Sequence, residues 1–179
     1  MQTLLERALF VVAPPNYGKS TTLRSMFKDR RLGTGGVPPK SSKKRLPAYY
    51  WLSNKRRLYL RLTSPHEANE TLKYFIKKTC GKMVGGRWCF AGPLQPNACN
   101  KMPDAVESVR AFVDAFAPER VRVALLSRNQ YWEDIAMSFL PNRDITAELL
   151  RIPCVEVFCL DGRRRGVNGL LLADLFDFT

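Results

Sequence analysis

Histidine, acidic side chains and long apolar runs are all scarce in this sequence, and each shortage narrows the range of functions. A single histidine, His66, accompanies five cysteines, Cys80, Cys89, Cys99, Cys154 and Cys159, with no C-x-x-C pair among them. An odd thiol count at this spacing supports neither a disulfide framework nor a zinc module; it predicts buried or idle thiols in a reducing compartment. No uninterrupted apolar stretch approaches the roughly 20 residues that a membrane helix needs. Met1 to Arg7 lacks the basic region, apolar core and small-residue cleavage site of a secretory signal. The expectation is a cytoplasmic protein with no membrane partner. There is no internal repeat.

Acidic residues number 16 against 29 Lys and Arg, for a formal net charge of +13. The bases are clustered: Lys28, Arg30 and Arg31; Lys40, Lys43, Lys44 and Arg45; Lys55, Arg56, Arg57 and Arg61; Arg163, Arg164 and Arg165. Such clusters attract polyanions and release their counterions. Nucleic acid is therefore one candidate partner, with Lys40, Lys43, Lys44, Arg45, Lys55, Arg56 and Arg57 as its contacts, and an acidic protein is another. With 45% apolar residues, 179 residues suffice for one domain with a real core, spanning 1–179. Residues 33–47 hold Gly, Pro, Ser and Lys with little to bury, and read as a flexible basic loop.

Hydrophobic periodicity orders the elements. Gln2 to Arg7 reads as a short helical lead-in and Ala8 to Val12 as the first strand. Ser20 to Leu32 reads as a helix packing through Leu23, Met26 and Phe27, ended by Gly33. Ala48 to Ser53 and Arg57 to Thr63 read as a hairpin turning at Asn54, Lys55 and Arg56. Ser64 to Thr79 reads as a helix capped by Ser64, with Leu72, Phe75 and Ile76 on its packed face. Trp88 to Ala91 is a strand, Pro103 to Phe116 a helix and Val121 to Leu126 a strand. Tyr131 to Phe139 is a helix, Val155 to Leu160 a strand and Gly169 to Phe176 a closing helix. This alternation predicts an α/β fold: a mainly parallel sheet covered on both faces, with the hairpin as an antiparallel edge.

The segment from Leu9 to Thr21, LFVVAPPNYGKST, is an apolar run, a turn-rich loop and then Gly-Lys-Ser opening a helix. It resembles the phosphate-binding P-loop, or Walker A motif, G-x-x-x-x-G-K-[ST], of the P-loop NTPases. In that motif backbone N–H groups surround phosphate oxygens, a Lys reaches the outer phosphates and a hydroxyl holds magnesium. Gly18, Lys19 and Ser20 match it, while Ala13 replaces the first Gly, a change the turn accommodates if φ stays negative there. Pro14 and Pro15 remove two N–H donors. The resemblance implies a three-layer P-loop sandwich that binds ATP or GTP with Mg2+ through Ala13, Asn16, Tyr17, Gly18, Lys19, Ser20 and Thr21, with Ser20 on the metal.

The element order is similar to that of small and translation-type GTPases. Their D-x-x-G, at the end of the second hairpin strand, would fall at Leu62-Thr63-Ser64-Pro65-His66-Glu67, where Thr63 stands in place of Asp. Their guanine-reading N-K-x-D would fall at Ser127-Arg128-Asn129-Gln130, which carries no carboxylate, so strong guanine preference is not expected. In P-loop kinases and other ATPases an acid ends the Walker B strand; Trp88 to Ala91 ends without one, and Asp161, after Val155 to Leu160, reads first as a structural Asp-Gly turn, with a metal site as its alternative role. Phosphoryl transfer needs bridged phosphates and a positioned nucleophile. The catalytic candidates are His66 and Glu67 for orienting water and Arg128, or the Arg163 to Arg165 cluster, for stabilising transferred charge. The function expected is nucleoside-triphosphate binding with slow or divergent NTPase activity. The alternatives are a nucleotide or small-molecule kinase, with Arg163 to Arg165 as a lid, and a non-catalytic nucleic-acid-binding or assembly subunit.

Overall fold

The computed structural model describes residues 2–40, 46–52, 55–128 and 144–176. Strand β1 (Thr3–Val12) runs through the middle of the sheet, paired on one side with β4 (Gly86–Leu94) and on the other with β5 (Arg120–Arg128), both parallel to it. Beyond β4 lie β3 (Arg57–Leu60), parallel, and β2 (Tyr50–Trp51), antiparallel at the edge; beyond β5 lies β6 (Val155–Asp161), parallel. The order is thus β2-β3-β4-β1-β5-β6. The mainly parallel sheet with an antiparallel edge agrees with the expected α/β class.

Strand alternation splits the core in two. Leu9, Val11 and Ala13 point to a face covered by α1 (Lys19–Ser25) and α5 (Arg165–Ala173), where Leu23, Met26, Phe27, Leu172 and Phe176 are buried. Ala8, Phe10 and Val12 point to the face of α2 (Leu72–Lys82), α3 (Ala105–Phe116) and α4 (Ile145–Leu150). There the Phe10 and Phe112 rings meet edge to face at 5.0 Å, a geometry that adds to area burial. Helix α5 lies so close to α1 that a Cβ on Gly169 would come 2.3 Å from the Ser25 backbone. This contact holds in place the helix that follows the loop.

Several boundaries differ from the sequence expectation. The lead-in Gln2 to Arg7 is the start of β1, because Thr3, Leu4 and Leu5 pair with Gly86, Arg87 and Trp88 before a register shift between Leu5 and Arg7. The helix after the loop is short: α1 gives way to single 3-10 turns at Met26–Lys28 and Arg30–Leu32, since Asp29 is extended and its carboxylate accepts from the Arg31 N–H. The turn at 64–70 is not helix. Asn69 takes a left-handed φ of 52°, and Thr71 caps α2 by accepting from the Tyr74 N–H.

Strand β4 runs three residues past Ala91, through Pro93. Proline interrupts a ladder only on the side its missing N–H faces. Here Ala91 accepts from the Arg61 N–H across the β3 side, so Pro93, two residues on, faces the same side beyond the end of β3. On the other side Leu94 accepts from the Ala13 N–H at 3.3 Å. Helix α3 begins as expected, with Asp104 accepting from the Glu107 N–H, whereas α5 begins four residues earlier than expected and α4 was not anticipated. The helix expected at Tyr131 to Phe139 lies outside the described residues. No helix among the described residues is long and apolar enough to cross a membrane.

Candidate phosphate-binding loop

The loop leaves β1 at Ala13, which is fully buried and keeps a negative φ, as a residue with a Cβ requires in this turn. Two left-handed residues then shape it, Asn16 at φ 65° and Gly18 at φ 83°. Gly18 is the cap of α1, and its carbonyl accepts from the Thr22 N–H at 2.9 Å. Glycine adopts this conformation without the steric cost other residues meet. The N–H groups of Asn16 and Gly18 meet no acceptor among the described residues.

Lys19 folds back across the mouth of the loop. Its Nζ donates to the Ala13 carbonyl at 2.9 Å and the Pro14 carbonyl at 2.7 Å, and lies 3.6 Å from Glu67 Oε1. The side chain is only 4% exposed. Burial lowers its ammonium pKa from the ordinary 10.5, and the Glu67 carboxylate works in the opposite direction. Ser20 Oγ donates to the Leu62 carbonyl. The chain leaving β3 is therefore pinned to the loop at two points, Leu62 and Glu67, although β3 itself is separated from β1 by β4.

His66 holds a different position from the one its residue type suggests. It is fully buried, its Nε2 donates to the Pro103 carbonyl at 2.8 Å, and its Nδ1 faces Ser64 Oγ at 3.2 Å and the Gln95 N–H at 3.4 Å. This pattern requires the neutral tautomer protonated at Nε2. Burial lowers the ring pKa from 6.5. Both nitrogens are engaged within the protein, so the ring orients no water in this conformation; it ties the 64–69 turn to the ends of β4 and α3. Asn100 Nδ2 adds a bond to the His66 carbonyl at 2.7 Å.

Asp161 ends β6, two strands from β1, and its carboxylate is bonded by Arg163 Nε at 2.8 and 2.9 Å and by the Arg163 N–H at 3.1 Å. Its carbonyl accepts from Asn168 Nδ2 at 2.7 Å. Strands stand about 4.8 Å apart, so this acid lies two strand spacings from β1, and it makes the Asp-Gly turn expected from the sequence. The residue that follows β4 beside the loop is Gln95, 6% exposed, an amide where an acid would help hold a metal. In the sequence Gly92-Pro93 reads as a strand end, which leaves Gln95 in a loop, whereas the pairing with β1 continues through Leu94. Among the described residues no group of three or more His, Cys, Asp or Glu could hold a metal ion.

Arg128 ends β5 opposite Asp161, and its side chain lies outside the described residues, as do Asn129 and Gln130. Ser127 Oγ donates to the Leu160 carbonyl at 3.2 Å. Thr21 Oγ1 accepts from Arg24 at 3.3 Å, and Tyr17 is partly buried in the loop. Lys43, Lys44 and Arg45 are outside the described residues, whereas Lys40 and Lys55 are exposed.

Arg56 and Arg57 are not a solvated basic face. Arg56 is 3% exposed, with Nη1 donating to the Phe176 carbonyl at 2.9 Å and lying 3.6 Å from Glu6. Arg57 stacks over Trp88 at 4.2 Å and donates to the Gly85 carbonyl. Comparison with known protein families, curated proteins and solved structures returned no match to this chain.

Proposed function

We propose that the loop from Ala13 to Ser20 binds the phosphates of a nucleoside triphosphate, and that the fold is a divergent three-layer sandwich of the P-loop type. The observation that carries this reading is Lys19 itself. A buried ammonium satisfied by two loop carbonyls and a carboxylate is a cation poised to exchange those partners for phosphate oxygens. The open N–H groups of Asn16 and Gly18 supply neutral donors beside it.

Ser20 would hold magnesium through its hydroxyl on releasing the Leu62 carbonyl. Magnesium would neutralise phosphate charge there. Asp161, tied to Arg163, does not fit that role. Gln95 follows β4 where an acid would serve, so binding is better supported than fast hydrolysis, and Glu67, 3.6 Å from Lys19, is a carboxylate beside the loop for handling a water. A titration of ATP and GTP, with and without Mg2+, on the wild type and Lys19→Ala tests this reading. Severe weakening in a folded Lys19→Ala supports it, and unchanged affinity removes it. The basic loop, with Lys40, Lys43, Lys44 and Arg45, is the charge cluster we assign to a nucleic-acid or acidic protein partner.

A further inference from the structure

A cavity of about 270 Å³ lies along the outer edge of β3 where its antiparallel partner stops. β2 meets β3 only at Tyr50 with Leu58 and Trp51 with Arg57. From Tyr59 to Thr63 the chain therefore faces residues 46–48 across the cavity rather than through a ladder. Three cations line the space, Arg61, Lys78 and Lys82, and no carboxylate is among its described lining residues.

The positive charge there exceeds what the described residues neutralise. Arg61 is 7% exposed; its Nη1 pairs with Glu70 Oε2 at 2.9 Å and its Nη2 donates to the Thr63 carbonyl at 3.4 Å. Lys78 Nζ donates to the other oxygen, Oε1, at 2.7 Å. Among the described residues Glu70 is the carboxylate paired with these cations, and it meets Arg61 and Lys78. Leu46 and Tyr59 give the cavity an apolar wall. Its size is just below the range of about 300 to 1,000 Å³ usual for small-molecule sites, which suits a compact metabolite and not a polymer.

We propose that this cavity is a second anion site, taking a small phosphate-bearing molecule whose phosphate is held by Arg61, Lys78 and Lys82 and whose organic part rests on Tyr59 and Leu46. The site adjoins the phosphate loop, because its wall residue Leu62 is the acceptor of the Ser20 hydroxyl. It stands on its own cations and does not depend on Lys19.

Inorganic phosphate is the probe, titrated calorimetrically at low salt into the wild type, Lys19→Ala and Lys19→Ala/Lys82→Glu. Saturable binding that persists in Lys19→Ala and weakens about tenfold or more on adding Lys82→Glu is the expected result, as for loss of a charge-assisted contact. Lys82 is exposed, so the second substitution leaves the fold intact. Amide chemical shifts in the wild type, followed through the same titration, are expected to move at Thr63, Lys78 and Lys82. Loss of all phosphate binding in Lys19→Ala, binding unaffected by Lys82→Glu, or shifts confined to other basic segments would overturn the proposal. ATP binding to the wild type reports separately on the loop.

Discussion

Lys19 Nζ and Glu67 Oε1 stand 3.6 Å apart across the mouth of the loop, a cation that is 4% exposed facing a carboxylate that is 38% exposed. The carboxylate partly neutralises Lys19, and under the proposed function it would compete with an incoming phosphate. Part of this attraction is screened by water at Glu67, so its contribution is small.

Glu67→Gln keeps the shape and removes the charge. Triphosphate affinity is expected to rise about threefold, close to what a partly exposed ion pair is worth. Any phosphate release is expected to slow, because the same change removes the carboxylate nearest the loop. Calorimetry with ATP and a phosphate-release assay on one preparation check both; weaker binding in Glu67→Gln would show instead that the carboxylate helps to hold the ligand.

His66 makes stability depend on acid. The unfolded chain takes up a proton near 6.5, while the folded ring, held neutral by burial against the opposing pull of its bond to the Pro103 carbonyl, takes one up only at lower pH. Its contribution is complete above about 6.5 and falls as pH drops below it. His66→Gln is expected to destabilise the protein at pH 8 by about 1 to 3 kcal/mol, through the buried Gln95 N–H left without its acceptor, and to flatten the decline below pH 6.5. Urea unfolding across pH 5 to 8 measures both. An unchanged acid slope would mean that another group sets it.

Arg56 is a structural cation. Arg56→Ala strips Glu6 of a buried partner and the Phe176 carbonyl of a donor, and is expected to cost about 3 kcal/mol in urea unfolding. Lys55→Ala, at an exposed position, is expected to leave stability unchanged. Equal effects from the two would contradict the burial seen for Arg56.

Neutralising Lys40, Lys43, Lys44 and Arg45 together is expected to weaken retention of DNA or RNA at low salt and to flatten its salt dependence. Nucleotide affinity is expected to stay unchanged. Failure of the wild type to retain either polymer would assign the basic loop to an acidic protein partner.

Local chemistry was legible where each residue type has one strong preference. The apolar run of β1 and the Gly-Lys-Ser opening of α1 could both be read from short windows. Sheet order could not, because it depends on which strands bury which faces: β4 enters between β3 and β1, and nothing in the hairpin announces it. Charge was the most misleading signal. Arg56 and Arg57 look like a solvated run in a string of letters, yet one neutralises a buried glutamate and the other stacks on Trp88. His66 was singled out for its chemistry, and its surroundings hold it as a buried tie.

The most direct test of the central claim is the backbone amide spectrum of the wild type as ATP with Mg2+ is added. The account predicts the largest shifts at Asn16, Gly18, Lys19 and Ser20, with a further change at Glu67 as Lys19 leaves it. Saturable ATP binding whose shifts avoid these residues, or no binding in a folded protein, would contradict it.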